Sequence, residues 1–438
     1  MRILIVNDII APYGGAELYT IELAKLLSLH GMRVDVLAAK GFIDEQTLSS
    51  RIRILTYDYH SILHTWRLGL RKLPSSLLEK FTKLFVKYDI VHFNNTILNL
   101  HVLQIKRKIP HEKCPLFVRT IHDYREVCPT LWRIKNNNQC PYQGPGLHCI
   151  ACNPQLQYYM ILQGSSSMIV KSLIGNIRSI WRSLQLLLNA EYYDVIIAPS
   201  RYLANLLRYN LKNPKIVHLY NFAPMDLVNS QIYNEGLCDS GKSLRQAYEG
   251  SPLFLFMARL SIEKGAHLIP LIARVLKKEH INAEIAIAGK GPLEKYISLY
   301  MRKLKLNNIK LLGYVNGYSK VKLLKHTYAV LLPSICCENH PMVIAESFIL
   351  GKPILTFNIG GQGEIVSISG GGLSTPYLDL SIYVNNMIAI MIDEELYVKL
   401  SNNAYRFAKD NFNPRYYALK LINEVYGLEN LWHLPIQV

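Results

Sequence analysis

A parallel α/β protein built from two doubly wound sheets in tandem, with a cleft between them, is the architecture this chain predicts. Three features point there. The first 40 residues hold a βαβ unit, a second series of the same kind starts near residue 252, and 438 residues are too many for one compact core.

The first unit runs Ile3–Val6 as a strand, Gly14-Gly15 as a tight loop, Ala16–His30 as a helix, and Val34–Ala38 as the next strand. Apolar runs at Ile90–Phe93, Leu116–Thr120 and Val195–Ala198 extend that sheet. The second series predicts strands at Leu253–Met257, Glu284–Ala288, Ile309–Leu312 and Ala329–Leu332, with Pro353–Phe357 closing the run. Helices are predicted at His267–Glu279, Leu293–Leu304 and Pro341–Leu350, with Pro341 as the first helical residue. Residues 1–223 thus form a first domain, 224–250 a polar linker, 251–411 a second domain, and 412–438 a terminal helix that crosses back to the first.

Half the residues are hydrophobic and 18% are charged, which excludes a disordered chain. No apolar run approaches the roughly 20 residues of a bilayer span. The apolar start breaks off at Asn7-Asp8, unlike an export signal, so a cytoplasmic location with reduced thiols is expected. The formal charge is +17, and residues 51–113 carry twelve Lys and Arg against four acids. Such a face suits anionic lipid, a phosphorylated substrate or nucleic acid.

The most informative segment is Glu338-Asn339-His340-Pro341-Met342-Val343-Ile344-Ala345-Glu346, where a strand ends, a loop follows and a helix begins. A helix start offers backbone N–H groups to a diphosphate, and the two carboxylates reach different parts of one hydroxyl-rich ligand. Arg259 and Lys264-Gly265 follow one strand end, Gly289-Lys290-Gly291 another, and Gly360-Gly361 with Glu364 a third. Open α/β sheets bind ligands at such carboxyl ends, and an arginine fork with a lysine point charge suits a diphosphate.

In these motifs, and in the loop Gly14-Gly15-Ala16-Glu17, the chain resembles glycosyltransferase family 4, with its Glu-x7-Glu signature and two-domain GT-B fold. The resemblance implies that Arg259 and Lys264 hold the donor diphosphate with the amides of Met342 and Val343. It assigns Glu338 to the donor sugar and Glu346 to the ribose, and places Gly14, Gly15, Gly289 and Gly291 at the donor. His122, in Thr120-Ile121-His122-Asp123, matches a family histidine facing the sugar, and Asp123 would orient it. Many members have Phe-Gly where this chain has His340-Pro341, which bears on the identity of the sugar. A retaining transfer from a nucleotide sugar, UDP favoured over GDP, is implied, with no metal required for catalysis. The acceptor implied is an oligosaccharide, lipid-linked in surface-polysaccharide assembly.

Two segments lie outside the motif set. Residues 124–154 carry Cys128, Cys140, Cys149 and Cys152 in a polar loop, read either as a four-thiolate zinc site or as free thiols. Cys336-Cys337 is expected only to pack. Residues 155–190 mix apolar, aromatic and cationic side chains with no acid, a pattern that suits a helix at a membrane interface as well as one packed on the domain. The rival functions are a phosphorylase or synthase on the same fold, and a basic nucleic-acid-binding protein; no nucleic-acid-binding signature supports the second.

Overall fold

The computed structural model describes residues 1–11, 14–41, 43, 52–60, 62, 72–150, 152, 168–232 and 251–428, with backbone alone for 168–176 and 230–232. Arg51, Arg67 and Arg71, residues 153–154 of the cysteine loop, 155–167 of the amphipathic segment, 233–250 of the expected linker and 429–438 of the expected terminal helix lie outside them.

The first sheet holds β1 (Arg2–Val6), β2 (Arg33–Ala39), β3 (Arg53–Tyr57), β4 (Ile90–Phe93) and β5 (Leu116–Thr120). A small hairpin, β6 (Ile134–Lys135) and β7 (Asn138–Gln139), stands apart, and β8 (Val195–Ala198) and β9 (Lys215–His218) complete the sheet. Its order is β3-β2-β1-β4-β5-β8-β9, all parallel, with Ile3 opposite Val34 on one side and Ile90 on the other. The second sheet comprises β10 (Leu253–Met257), β11 (Glu284–Ala288), β12 (Ile309–Gly313), β13 (Ala329–Leu332), β14 (Ile354–Phe357) and β15 (Gly372–Thr375). Its order is β12-β11-β10-β13-β14-β15, again parallel. Both are doubly wound, and in each the order reverses beside the first strand, at β1/β4 and at β10/β13. Loops leaving those strands diverge there and open a crevice for ligand.

The interior strands are short apolar runs because helices cover both of their faces: β4 is Ile-Val-His-Phe and β13 Ala-Val-Leu-Leu, every residue buried. Three expectations are corrected. The second sheet does not close at Phe357, since β15 pairs with β14 along its length. Pro341 precedes the helix Met342–Phe348 with an extended ψ of 125°, so Met342 is the first helical residue. Gly360-Gly361 is the opening of the helix Gly360–Ser369 and not a free turn.

The last helix, Pro414–Lys420, continues into a π turn, Leu421–Val425. Its apolar face is buried in the first domain's core, where Tyr417, Leu421, Ile422 and Tyr426 pack with Tyr19, Ile3 and Val195. Tyr19 and Tyr417 share a hydroxyl hydrogen bond, and the Tyr426 hydroxyl meets His92 Nδ1 at 2.8 Å. The end of the chain thus ties the second sheet back to the first. Leu421→Ala removes a fully buried side chain and is expected to destabilise the protein by about 2–4 kcal/mol. Thermal unfolding with unchanged midpoint would show that this return packs too loosely to matter.

Candidate active site

The loops at the two switch points face each other. After β13 the chain runs through Ser334 to Glu338 and enters the helix Met342–Phe348. After β1, Gly14-Gly15 opens the helix Gly15–Leu29, and a side chain at Gly15 would stand 3.6 Å from Met342 Cγ. The glycine loop of the first domain therefore lies directly over the start of the second domain's helix. That start has no side-chain cap, so the amides of Met342 and Val343 are not tied to a neighbouring side chain there.

Both glutamates are already ion-paired. Glu338 accepts from Lys264 Nζ at 2.5 Å and from Ser334 Oγ at 2.5 Å. Glu346, buried inside the helix, accepts from Lys320 Nζ at 2.9 Å. Burial alone would lower both lysines, but the facing carboxylates prevail and raise them, so both stay charged. Arg259 is exposed at the rim. Lys264 and Glu338, expected to serve different parts of the ligand, are thus partners of one another.

Gly289 and Gly291 act one layer below. Cβ atoms there would fall 2.0 Å from the Ala258 carbonyl oxygen and 2.4 Å from that of Leu260. Only glycine lets the β11 loop lie against the Ala258–Leu260 backbone that carries Arg259. Gly361 does the same for Asn339, whose carbonyl oxygen would meet a Cβ at 1.7 Å. Glu364 accepts from the amides of Arg201 and Tyr202 at 2.9 and 2.6 Å, at the start of a first-domain helix.

On the first-domain side, His122 Nε2 lies 3.2 Å from Asn94 Oδ1. Asn94 donates its own amide to Thr20 Oγ1, so its oxygen is the acceptor and His122 carries its proton on Nε2. Nδ1 then holds the lone pair. Burial pushes the ring down to about 4, so it is neutral near pH 7. Asp123 does not orient it; its carboxylate pairs with Arg125 Nε at 3.0 Å. Beside His122 a polar cavity is lined by Arg119, Arg125, Glu126 and Asn95, among others, with Arg119 and Glu126 forming a buried ion pair.

Lys320, Ser334, Asn94 and Asn339 escaped sequence reasoning. Lys320 sits on a helix 26 residues before its carboxylate, a separation that carries no signal. Asn339 lay inside the quoted motif. At the departure from the family pattern, the His340 ring is buried between Tyr220 and Phe412, with both nitrogens unpartnered. Cys128, Cys140, Cys149 and Cys152 line one cavity, but among the described residues no group of three or more His, Cys, Asp or Glu stands ready to hold a metal. Cys337 does more than pack, since its amide donates to the Trp132 carbonyl of the first domain at 2.8 Å.

Comparison with known proteins matches this layout. The family model described as Glycosyltransferase Family 4 covers residues 13–227, and that described as Glycosyl transferases group 1 covers residues 243–407. The glycosyltransferase MJ1178 of Methanocaldococcus jannaschii, itself uncharacterized, is 29% identical over 217 residues, 49% of this chain. The match spans 55% of that relative, so the chain aligns with about half its length. D-rhamnosyltransferase WbpZ of Pseudomonas aeruginosa is 30% identical over 129 residues, 29% of this chain and 32% of that protein. The crystal structure of HepE from Anabaena in complex with UDP superposes with a TM-score of 0.65 at 18% identity, covering 98% of this chain and 100% of that one. Two doubly wound sheets with facing switch points are the GT-B fold. The chain belongs to the family 4-like glycosyltransferases.

Buried and half-buried histidines make the fold acid-sensitive. His122, His218 and His267 are pushed down to about 4 and His340 to about 3, in each case first by burial. The unfolded chain therefore binds more protons than the folded one below about pH 6.5. Their stabilising contribution is complete above that pH and is lost as pH falls toward 4. Denaturation midpoints should drop over that window. His340→Phe should flatten the slope by up to about 1.4 kcal/mol per pH unit, and an unaltered slope would contradict a buried neutral ring.

Proposed function

We propose that the chain moves a hexose, with retention, from a nucleoside-diphosphate sugar, UDP favoured, to a lipid-linked saccharide in surface-polysaccharide assembly. The observation that carries this reading is the pair of lysine-compensated carboxylates, Glu338 and Glu346, flanking an uncapped helix start at the second switch point. The UDP held by the HepE structure supports the choice of nucleotide.

In the proposed complex the diphosphate lies on the amides of Met342 and Val343 and takes the charges of Arg259 and Lys264. Its developing negative charge is stabilised by fixed dipoles and cations, the usual largest contribution to such a step. Glu338, released from Lys264, accepts from sugar hydroxyls, and Glu346 accepts from the ribose. His122, neutral with Nδ1 as acceptor, positions the sugar from the opposite domain. No protein nucleophile is assigned.

The membrane reading rests on the helix Met168–Ala190. Its outward stripe of Ile177, Trp181, Leu184 and Leu188 is exposed and apolar, while Ser183 and Asn189 face inward. Leu186 and Ala190 also face inward, in the core, so the helix is apolar on both faces, unlike the usual surface helix. The helix Val102–Lys108 packs between it and the helix Ser75–Phe85, bringing the exposed cations Lys80, Arg107 and Lys108 onto neighbouring elements. Apolar and aromatic side chains beside cations fit an anionic lipid interface, each cation contributing about 1 kcal/mol. No helix among the described residues is long and apolar enough to cross a membrane.

Calorimetry tests the donor assignments. Lys264→Ala and Arg259→Ala should each weaken UDP roughly 10- to 100-fold, as for a charge-assisted hydrogen bond of about 1.5–3 kcal/mol, and leave uridine unchanged. Glu346→Gln should weaken both ligands. Glu338→Gln should reduce turnover and leave UDP affinity equal or higher, because it frees Lys264; a collapse of UDP binding would overturn its assignment to the sugar. Liposome pelleting tests the membrane face. Recovery should require anionic lipid, fall with salt, and be lost in Trp181→Ser/Leu188→Ser; equal pelleting with neutral vesicles would refute the anionic docking face.

A further inference from the structure

Between the ends of β4 and β5 and the helix Met168–Ala190, the first domain holds a polar cavity that the donor assignments touch only at His122. Its walls include Asn95, Asp123, Arg125 and Arg182, with the buried Arg119 and Glu126 behind them. Two arginine–carboxylate pairs stand there. Toward solvent, Arg125 Nε meets Asp123 Oδ2 at 3.0 Å, the side chains 42% and 30% exposed. Inside, Arg119 Nη2 pairs with Glu126 Oε1.

The inner pair is incompletely satisfied. Nε and Nη1 of Arg119 and Oε2 of Glu126 are buried and have no hydrogen-bond partner among the described residues. The Tyr193 ring centre lies 5.5 Å from the guanidinium, and its hydroxyl already donates to Asn99. Apolar residues of the same volume would hold such a place in the fold as well or better. Structural packing therefore does not explain a charge pair with open valences at the back of a cavity; a polar ligand does.

The surrounding charge selects the kind of ligand. Three guanidinium groups, Arg119, Arg125 and Arg182, line the cavity together with Asp123 and Glu126. Asp8 and Glu17 stand close enough to act on Arg125 as well. Burial and the Arg125 charge push Arg182 down while Asp123 and Glu126 oppose them, so its guanidinium belongs to the same cluster. A phosphate or carboxylate would thus meet at least as many like charges as opposite ones. An arginine beside a carboxylate instead presents N–H donors and lone pairs side by side. That is the complement of a hydroxyl, which accepts and donates, and neighbouring hydroxyls on a sugar ring engage both partners of a pair at once.

The cavity also lies where an acceptor is needed. Tyr124, between the two pairs in sequence, donates to the Glu338 carbonyl at 3.0 Å and so touches the donor loop. On the far side, the helix Met168–Ala190 contributes Arg182 and Leu186 to the cavity and exposes Trp181, Leu184 and Leu188. One helix, about 10–12 Å across with its side chains, separates the cavity from the face assigned to lipid.

We propose that this cavity is the acceptor subsite and that it takes hydroxyl groups of a neutral saccharide, Arg125 and Arg119 donating and Asp123 and Glu126 accepting. Its role as acceptor subsite rests on the proposed function above, whereas saccharide binding by these pairs does not.

Saturation-transfer NMR on the full chain with UDP bound tests this, using the methyl glycosides of glucose, galactose, mannose, rhamnose and N-acetylglucosamine. Glucose 6-phosphate and methyl glucuronide serve as charged counterparts. At least one neutral glycoside should bind wild-type protein, and Arg125→Gln/Asp123→Asn should weaken it by about tenfold or more, as for one lost charge-assisted hydrogen bond. UDP affinity, read by calorimetry on the same samples, should be unchanged. If that variant misfolds, Arg119→Met/Glu126→Met removes both buried charges together, leaves none uncompensated, and should lose the glycoside equally. Wild-type protein that binds UDP but no neutral glycoside, or binding that survives both variants, would overturn the subsite and leave the donor reading intact. Preference for the charged sugars would overturn the chemistry assigned to it. Glycoside binding lost in Glu338→Gln and kept in the cavity variants would place the sugar in the donor position and also overturn it. Glycoside bound through these pairs by protein with no UDP affinity would uphold the subsite and count against the donor reading alone.

Discussion

The contact on which the site depends is the clasp around Asn339. This side chain is buried where the sheets approach one another; its amide nitrogen donates to the Ile121 carbonyl at 2.9 Å, and its oxygen accepts from Ser200 Oγ at 2.5 Å. Ile121 directly follows β5 and Ser200 caps the helix Arg201–Asn210, so one side chain of the second domain spans two elements of the first. Beside it, the Tyr124 hydroxyl donates to the Glu338 carbonyl at 3.0 Å. A buried amide with its partners in place is costly to expose, because each lost partner leaves a polar group desolvated. Glu338 is consequently fixed with respect to His122 through one residue on each side.

Around this clasp, glycines set the distances. Gly361 lets the helix Gly360–Ser369 begin against the Asn339 carbonyl, and the Glu338 carbonyl accepts from the Gly361 amide at 2.7 Å. The loop Cys336–Asn339 is thus held from below by Gln362, whose oxygen accepts from the Glu338 amide, and from across the cleft by Tyr124, Trp132 and Ser200. Such over-determination is what keeps reacting groups in place without a reorganisation cost at the moment of reaction.

What the sequence makes legible follows from burial. Strands covered on both faces read as uniform apolar runs, and β4, β5, β8, β10, β11, β13 and their neighbours stand where those runs lie. In the two main sheets the strands that escape notice, β3, β9 and β15, are all sheet edges. Arg-Ile-Leu-Thr-Tyr, Lys-Ile-Val-His and Gly-Leu-Ser-Thr mix polar with apolar residues because one side of each is open, and so resemble loops. At the site, the residue types were readable from motif order, but their pairings were not. Lys264 and Glu338 are 74 residues apart and Lys320 and Glu346 are 26 apart; only the fold brings them together.

Those pairings change how the site should be understood. A bare carboxylate in a half-buried cleft would be driven toward protonation, and a bare lysine toward neutrality. The facing carboxylates keep Lys264 and Lys320 charged in the free chain, although a buried ion pair by itself adds little stability. In the proposed donor complex the diphosphate competes with Glu338 for Lys264, and the displaced carboxylate gains sugar hydroxyls in exchange. The two halves of the donor are then coupled: a nucleotide without its sugar takes Lys264 but leaves Glu338 with only Ser334 as partner, whereas the intact donor satisfies both. Under that proposal, recognition of the sugar does not need a pocket of its own in the second domain. It arises from the rearrangement of a charge pair already in place, with His122 and the rigid clasp supplying the opposite wall.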